Sequence, residues 1–170
     1  MFLHYYDVHS DYASLPDYER MFVRPYAGDI TGNSRQLWEY RRGHRELSEA
    51  DLDHLRDLYD ASIRQLDDEL KRLFATLDER GLLSDTLVII TSDHGEEFLE
   101  HGGVLHGQTQ YEEVVRIPLI VRGPGVPAGG RVAAPVSLID LVPTCLAVLG
   151  VEADQSAAFD GVNVAGLWQG

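Results

Sequence analysis

Residues 86–97 read Thr-Leu-Val-Ile-Ile-Thr-Ser-Asp-His-Gly-Glu-Glu, and this stretch decides the fold class and the place of the chemistry. An apolar run typical of a buried strand leads directly into Asp93 and His94, and a glycine follows. Open α/β sheets bind ligands beyond the carboxyl ends of their strands, where the sheet holds the first residues of each loop rigid. We therefore expect the functional site at Asp93 and His94.

The composition is that of a globular chain with a strong acidic balance. Hydrophobic residues make up 44% of the 170 residues, and this length predicts one domain. The formal net charge of −14 argues against nucleic acid or an anionic membrane as a partner, because acidic surfaces repel phosphate. No apolar run reaches the roughly 20 residues of a spanning helix, which predicts a soluble chain without a membrane partner. An anionic substrate would need a local positive site, such as a bound metal.

Apolar periodicity predicts an α/β fold with a mixed or parallel sheet flanked by helices. Apolar residues recur at spacings of three and four from Ser48 to Arg80, which predicts a long amphipathic helix. Ser48 and Asp51 are spaced as a capping box at its start. The other predicted elements are strands at Leu87 to Thr91 and Ile117 to Val121, and a helix from Leu141 to Leu149 with Pro143 in its first turn and Gly150 at its end.

The remaining segments carry weaker signals. Met1 to Tyr6 has the composition of a strand, and residues 7–46 mix turn formers and aromatics as expected of a long loop that lines a site. The tail from Val151 to Gly170 has little pattern. Because the opening strand has no element before it, we expect residues 1–170 to be the C-terminal portion of a longer catalytic domain.

A metal at Asp93 and His94 would need further ligands. Protein sites normally supply at least three donors, so others must come from His9, His101, His106 or from residues outside the chain. Carboxylate oxygens favour calcium or magnesium, whereas an imidazole nitrogen favours manganese or zinc. Taken alone, the Asp-His pair fits a structural hydrogen-bonding pair as well as it fits a metal site.

Two further histidines are candidates for the chemistry. His9 follows the predicted opening strand, and His106 lies in the loop after the Asp-His pair. An imidazole in such a loop can donate a hydrogen bond to an oxyanion or protonate a leaving oxygen near neutral pH, which suits the hydrolysis of an anionic ester. The alternative for each is a solvated loop histidine. His4, on the predicted strand, is expected to pack in the core.

With these residues in view, the chain resembles the C-terminal part of the catalytic domain of a sulfatase of the alkaline phosphatase superfamily. The similarity spans roughly residues 1–150, and its Ser-Asp-His-Gly-Glu block is specific. The matching segments are Phe2 to His9, the helix with Tyr59 and Asp67, Thr91 to Glu96, Glu100 to Gly102, Tyr111 to Glu113, Arg116 to Leu119 and Asp140 to Thr144.

The resemblance implies an alkaline phosphatase-like sandwich and a hydrolase of small-molecule or glycan sulfate esters. Such enzymes use a formylglycine nucleophile on a divalent cation, usually calcium, with manganese, magnesium and zinc as alternatives here. By matching, Asp93 and His94 bind the metal, the position of His94 being Asn in many members. By the same matching, His9 would contact the sulfate group. His106 falls where many members carry a Lys or His that contacts the sulfate or the leaving oxygen, in a loop one residue longer than the common pattern.

The chain also departs from the family pattern. It contains neither the paired-Asp metal motif nor the Cys-x-Pro-x-Arg segment of the N-terminal half, whose cysteine becomes formylglycine. The single cysteine, Cys145, lies in an apolar helix and is expected to be a core residue. We therefore expect this segment alone to be inactive and the parent enzyme to supply the nucleophile.

Two alternatives to a sulfatase remain open from the sequence. Within the superfamily, a phosphodiesterase, a phosphonate hydrolase or a phosphoethanolamine transferase would use the same Asp-His pair with a Ser or Thr nucleophile. In a different class, the chain would be a degenerate, non-catalytic binding module that keeps the scaffold.

Overall fold

The computed structural model describes residues 1–152 and 158–168, and these residues form two compact units. The first unit contains residues 1–81 and 94–117, and the described residues of the second are 82–93, 118–152 and 158–168. The helices are α1 (Pro16–Phe22), α2 (Ser34–Arg41), α3 (Glu49–Glu79), α4 (Glu112–Val115) and α5 (Leu141–Leu149). The strands are β1 (Val88–Thr91), β2 (Glu97–Phe98), β3 (Val104–Leu105) and β4 (Leu119–Arg122).

The long helix α3 confirms the prediction from periodicity. The Ser48 side chain accepts a hydrogen bond from the backbone of Asp51, and the Asp51 carboxylate accepts one from the Ser48 N–H, which completes the capping box. Leu52, Leu55 and Leu58 bury the apolar face of the helix. The capped N-terminus and the buried stripe together explain why the sequence forms a helix here.

The first unit is built around α3. This helix packs against α1 and against β2, which pairs antiparallel with β3. The loops before α3 contribute Tyr12 and Ile30 to the same core. Burial of these side chains stabilises the unit and holds the hairpin of β2 and β3 in place.

The second unit contains an antiparallel pair and a short helix. β1 pairs with β4, and Val88 faces Arg122 while Thr91 faces Leu119. Helix α5 ends at Gly150, which adopts the left-handed conformation with a φ of 64°, as predicted for its stop. Cys145, expected in the core, lies half-buried in this helix.

Several predictions from the sequence are wrong. Met1 to Tyr6 forms no strand and His4 is exposed, since a strand needs a hydrogen-bonding neighbour and none is present among the residues described. Residues 7–46 contain α1 and α2, which are too short to show a sustained apolar period. Local capping explains them: Pro16 occupies the first turn of α1, and the Asn33 side chain accepts a hydrogen bond from the backbone of Gln36 at the start of α2.

Helices and strands both occur, as an α/β chain requires, and both strand pairings among the described residues are antiparallel. The predicted strand at Ile117 to Val121 is observed as β4, which begins two residues later and ends one residue later. Part of the tail predicted to lack pattern, residues 153–157 and 169–170, lies outside the described residues, and a 3-10 turn occupies Ala165–Trp168. Within the described ranges, no helix has the length and apolar character to cross a bilayer.

Candidate functional site

The Asp-His pair follows β1 as the sequence predicted. β1 is held by its pairing with β4, and the Thr91 hydroxyl donates a hydrogen bond to the Pro118 carbonyl over a distance of 2.9 Å. Asp93 is exposed, and His94 is half-buried. Asp93 is the last residue of the segment 82–93 of the second unit, and His94 is the first residue of the segment 94–117 of the first unit. The strand therefore fixes where the pair begins.

Gly95 is required by a close backbone approach. Its N–H donates to the Val114 carbonyl at 2.7 Å, and the next N–H donates to the Glu113 carbonyl at 3.1 Å. A Cβ atom at residue 95 would lie 2.0 Å from the Glu113 carbonyl oxygen, which is far inside contact distance. Only glycine fits here without a shift of the backbone.

Three imidazoles converge within the first unit. The rings of His94 and His106 are stacked with centroids 3.7 Å apart, and His9 meets His106 edge-on at 5.0 Å. One nitrogen from each ring lies within 4.8 Å of the others. The structure thus brings together three of the five residues that the sequence marked, including both candidate catalytic histidines.

The backbone before two of these histidines has an unusual conformation. Val8 and Leu105, which directly precede His9 and His106, have φ angles of 73° and 68°. Residues other than glycine rarely occupy this region, and a β-branched residue such as Val8 does so at a cost. Such conformations persist where the surrounding structure over-determines them, and here they aim two imidazoles at a common point.

Each of the three rings is oriented through its Nδ1 atom. His9 Nδ1 lies 2.7 Å from the Ser10 carbonyl, and His94 Nδ1 lies 2.8 Å from the Gly95 carbonyl. His106 Nδ1 lies 3.0 Å from Oε1 of Glu96. Because carbonyl and carboxylate oxygens accept, Nδ1 carries the hydrogen in each neutral ring and Nε2 carries the lone pair.

Glu96 connects the cluster to the core. Its side chain is 5% exposed. Burial first, and then the charge and hydrogen bonding of Glu96, raise the pKa of Tyr12, a residue of the hydrophobic core. The Arg41 guanidinium faces the negative charges of Glu96 and Glu97, which act against the lowering of its pKa by burial. The buried carboxylate is therefore compensated on more than one side.

Glu97 organises the loop that leads to His106. Its carboxylate accepts hydrogen bonds from the Gly103 backbone and the Thr109 hydroxyl, both at 2.9 Å, and only 2% of the residue is exposed. His101, which the sequence offered as a further metal donor, lies apart from the three-histidine cluster and pairs through Nδ1 with Glu113. Glu97, His101 and Glu113 form a second group of metal-ligating side chains.

The residues that support the site were not predicted from the sequence, above all Glu96, Glu97, Tyr12 and Arg41. A signal for two of them was present: Glu96 and Glu97 are consecutive acids directly after the Asp-His-Gly segment. Exposed acids are common, so that signal alone does not predict burial.

The residues present fit a divalent cation. A carboxylate at residue 93 and an imidazole at residue 94 are both metal-ligating groups, and the Nδ1 of His94 is anchored by a carbonyl. Metal-ligating histidines usually donate their other ring N–H in this way, which orients the ligand nitrogen and raises its basicity.

Comparison with known proteins decides the family. The family model for sulfatases matches residues 1–151. The chain belongs to the sulfatase family. It is 35% identical to arylsulfatase K of Bos taurus over 111 residues, which covers 65% of this chain and 20% of that protein. The chain therefore spans about a fifth of the length of the curated relatives it matches. Membership of the sulfatase family implies a divalent metal.

Solved structures confirm the predicted alkaline phosphatase-like fold class. The phosphonate monoester hydrolase SpPMH from Silicibacter pomeroyi is 29% identical with a TM-score of 0.68, over 92% of this chain and 31% of that chain. BT4656, solved in complex with its substrate D-glucosamine-2-N,6-O-disulfate, is 29% identical with a TM-score of 0.64, over 81% of this chain and 28% of that chain. The sulfatase-family chain therefore matches less than a third of the length of each of these solved chains.

Proposed function

We propose that the full-length protein to which this chain belongs hydrolyses sulfate esters in a metal-dependent reaction. The chain supplies part of the metal site and part of the substrate site. The observation that carries this proposal is the convergence of His9 and His106 on His94, the residue that directly follows Asp93. Family membership supports the reaction class.

Asp93 and His94 are the proposed metal ligands of this chain. Calcium is the expected ion, and manganese, magnesium or zinc are compatible with one oxygen and one nitrogen donor. When bound, the cation supplies positive charge that stabilises the developing negative charge on the ester and its nucleophile. The remaining ligands come from outside this chain, because two donors do not complete a site.

His9 and His106 are the proposed catalytic residues. When both of its ring nitrogens carry hydrogen, His9 donates from Nε2 to the sulfate group, while Nδ1 stays bonded to the Ser10 carbonyl. When Nε2 also carries a hydrogen, His106 donates it to the sulfate or transfers it to the leaving oxygen, while the hydrogen bond from Nδ1 to Glu96 holds the ring in place. A proton delivered to the leaving oxygen in this way lowers the barrier of ester cleavage.

The nucleophile is proposed to lie in an N-terminal half that precedes residues 1–170 in the full-length protein, where a formylglycine is expected. Cys145 does not serve this purpose, because it is half-buried in α5. The chain by itself is therefore expected not to turn over an ester.

The proposed substrate is a sulfate ester of a small molecule or a glycan. The complex of BT4656 with a disulfated glucosamine supports a sugar. The net charge of −14 disfavours polyanions that bind through a broad basic surface, such as nucleic acid. A metal and two imidazoles provide instead a local site for one anionic group.

Phosphonate or phosphodiester hydrolysis is the second candidate. The observation that favours it is the likeness to SpPMH over 92% of this chain. The same cation and histidines would serve a phosphoryl centre as well as a sulfuryl centre, because both present negatively charged oxygens and an ester leaving group.

Parallel rate measurements distinguish the two reactions. The full-length protein is assayed on an aryl sulfate, an aryl phosphodiester and an aryl phosphonate with the same leaving group. We expect the highest kcat/KM on the sulfate, its loss after metal chelation and its return with calcium. A higher kcat/KM on either phosphorus ester, or an unchanged rate after chelation, would overturn sulfate-ester hydrolysis as the main activity.

A further inference from the structure

We infer that His9, His94 and His106 form an all-nitrogen binding site for a borderline-soft divalent ion such as Zn²⁺, which competes with the ester-cleaving arrangement. This site differs from the proposed Asp93 and His94 pair, in which one ligand is an oxygen. All three histidines belong to the first unit, and no residue of the second unit is needed.

The spacing of the three ring nitrogens is near the spacing of nitrogens that share one bound ion. One nitrogen from each ring lies within 4.8 Å of the others. Nitrogens that share a zinc ion at about 2.0–2.1 Å in a tetrahedral shell lie about 3.4 Å apart. The three nitrogens therefore have to approach one another by at most about 1.4 Å to share one ion. Three protein ligands with one open position form a common type of zinc site.

The outer hydrogen bonds favour metal binding by all three rings. Each Nδ1 faces an acceptor oxygen, from Ser10, Gly95 and Glu96, at 2.7, 2.8 and 3.0 Å. These acceptors select the tautomer in which Nε2 carries the lone pair, so the ligand atom is the same in all three rings. A buried carboxylate behind a ligating imidazole also raises its basicity, and Glu96 has that position behind His106.

The donor set determines which ion is bound. Calcium takes six to eight oxygen ligands, whereas imidazole nitrogens suit zinc, cobalt and nickel. The second group of metal-ligating side chains, Glu97, His101 and Glu113, is less suitable. The Glu97 oxygens already accept hydrogen bonds from Gly103 and Thr109, and His101 is paired with Glu113. We therefore assign zinc to the three-histidine cluster.

Zinc in this site would occupy His9 and His106. These are the side chains that the proposed function assigns to the ester, so bound zinc is expected to inhibit hydrolysis. This consequence rests on the proposed function, whereas zinc binding itself does not.

Calorimetric titration of the metal-free 170-residue chain with zinc chloride and with calcium chloride tests the site. We expect one zinc per chain and zinc affinity above calcium affinity. His9→Gln and His106→Gln should each weaken zinc binding by at least the roughly 10- to 100-fold that loss of an outer-shell partner costs. His101→Gln, in the second group, and His44→Gln, at an exposed position, are the matched controls and should bind zinc as the unsubstituted chain does.

Cobalt provides a second readout that does not depend on heat. Co²⁺ bound by three nitrogens gives a visible absorption band that the His9 and His106 variants should lose, with circular dichroism confirming that each variant is folded. His106→Asn replaces His106→Gln if the latter unfolds. The inference is overturned if zinc binding survives both substitutions, if His101→Gln abolishes it, if calcium binds as tightly, or if zinc shows no saturable binding. Because binding is measured without hydrolysis, an inactive full-length protein whose chain still binds zinc would refute only the proposed function.

Discussion

The imidazole of His106 donates from Nδ1 to the carboxylate of Glu96 over 3.0 Å, and the Glu96 side chain is almost completely buried. A catalytic candidate in a loop is thereby tied to the core of the first unit, since Glu96 also faces Tyr12. Buried carboxylates without partners are costly, so the pair is expected to be mutually dependent.

Glu96→Leu should destabilise the protein. The substitution leaves the Tyr12 hydroxyl and the His106 Nδ1 without their acceptor, which costs about 1–3 kcal/mol of unfolding free energy. Urea denaturation measures the change. Glu112→Leu is the control, because the Glu112 side chain is 79% exposed, and its effect should stay within about 0.5 kcal/mol. Equal effects of the two substitutions would contradict the role of Glu96.

Gly95→Ala should disturb the site through the backbone. The new Cβ would meet the Glu113 carbonyl at 2.0 Å, so either the Asp-His-Gly turn or α4 must move. Overpacking of this kind costs about 1–3 kcal/mol, which thermal unfolding detects. Gly166→Ala is the matched control, because no atom lies within 4 Å of its added Cβ. A Gly95→Ala protein as stable as the control would show that the close approach is not required.

His106→Ala should lower kcat of the full-length protein on an aryl sulfate by about 10²- to 10⁴-fold if His106 protonates the leaving oxygen. The loss should be smaller for a nitrophenol leaving group than for an unsubstituted phenol, because a good leaving group needs less protonation. His44→Ala, at an exposed position, should leave both rates unchanged. A uniform loss on both esters would indicate a positioning effect in place of acid catalysis.

Asp140 should make the stability of the second unit depend on pH. Its carboxylate accepts hydrogen bonds from the backbone N–H groups of Val162 and Ser137, each at 2.9 Å, and these lower the pKa of Asp140. A depressed pKa stabilises the fold above the unfolded pKa of about 3.9, and the contribution is lost as pH falls through the folded pKa. The stability difference between the unsubstituted chain and Asp140→Asn should therefore be full at neutral pH and shrink below about pH 4. Urea denaturation at several pH values measures it, and a difference independent of pH would contradict the assignment.

Local signals in the sequence predicted the long elements. The capping box at Ser48 and Asp51, the apolar period of α3, the run of β1 and the stop at Gly150 all act within a few residues. The helices α1 and α2 were missed because seven or eight residues give too little period to detect. The opening segment failed as a strand because pairing depends on a distant partner, which its own residues do not encode.

The histidines of the candidate site were predicted from the sequence, whereas the residues that hold them in place were not. His9, His94 and His106 stand out because imidazoles in strand-end loops are few and chemically distinctive. Glu96 and Glu97 do not, because an acid next to glycine usually lies in solvent and only tertiary packing buries it. The convergence of the three rings also depends on left-handed conformations at Val8 and Leu105, which side-chain patterns do not reveal.

The most direct test of the proposed metal-dependent sulfate-ester hydrolysis is the effect of Asp93→Ala on the full-length protein. Asp85→Ala is the control, since Asp85 lies just before the start of β1 in the sequence and is also exposed. The loss of a metal ligand should remove several kcal/mol of transition-state stabilisation, which corresponds to a fall of about a thousandfold in kcat/KM on an aryl sulfate. Calcium affinity should fall as well. We expect this loss for Asp93→Ala and none for Asp85→Ala. Undiminished calcium affinity and hydrolysis in Asp93→Ala would contradict it.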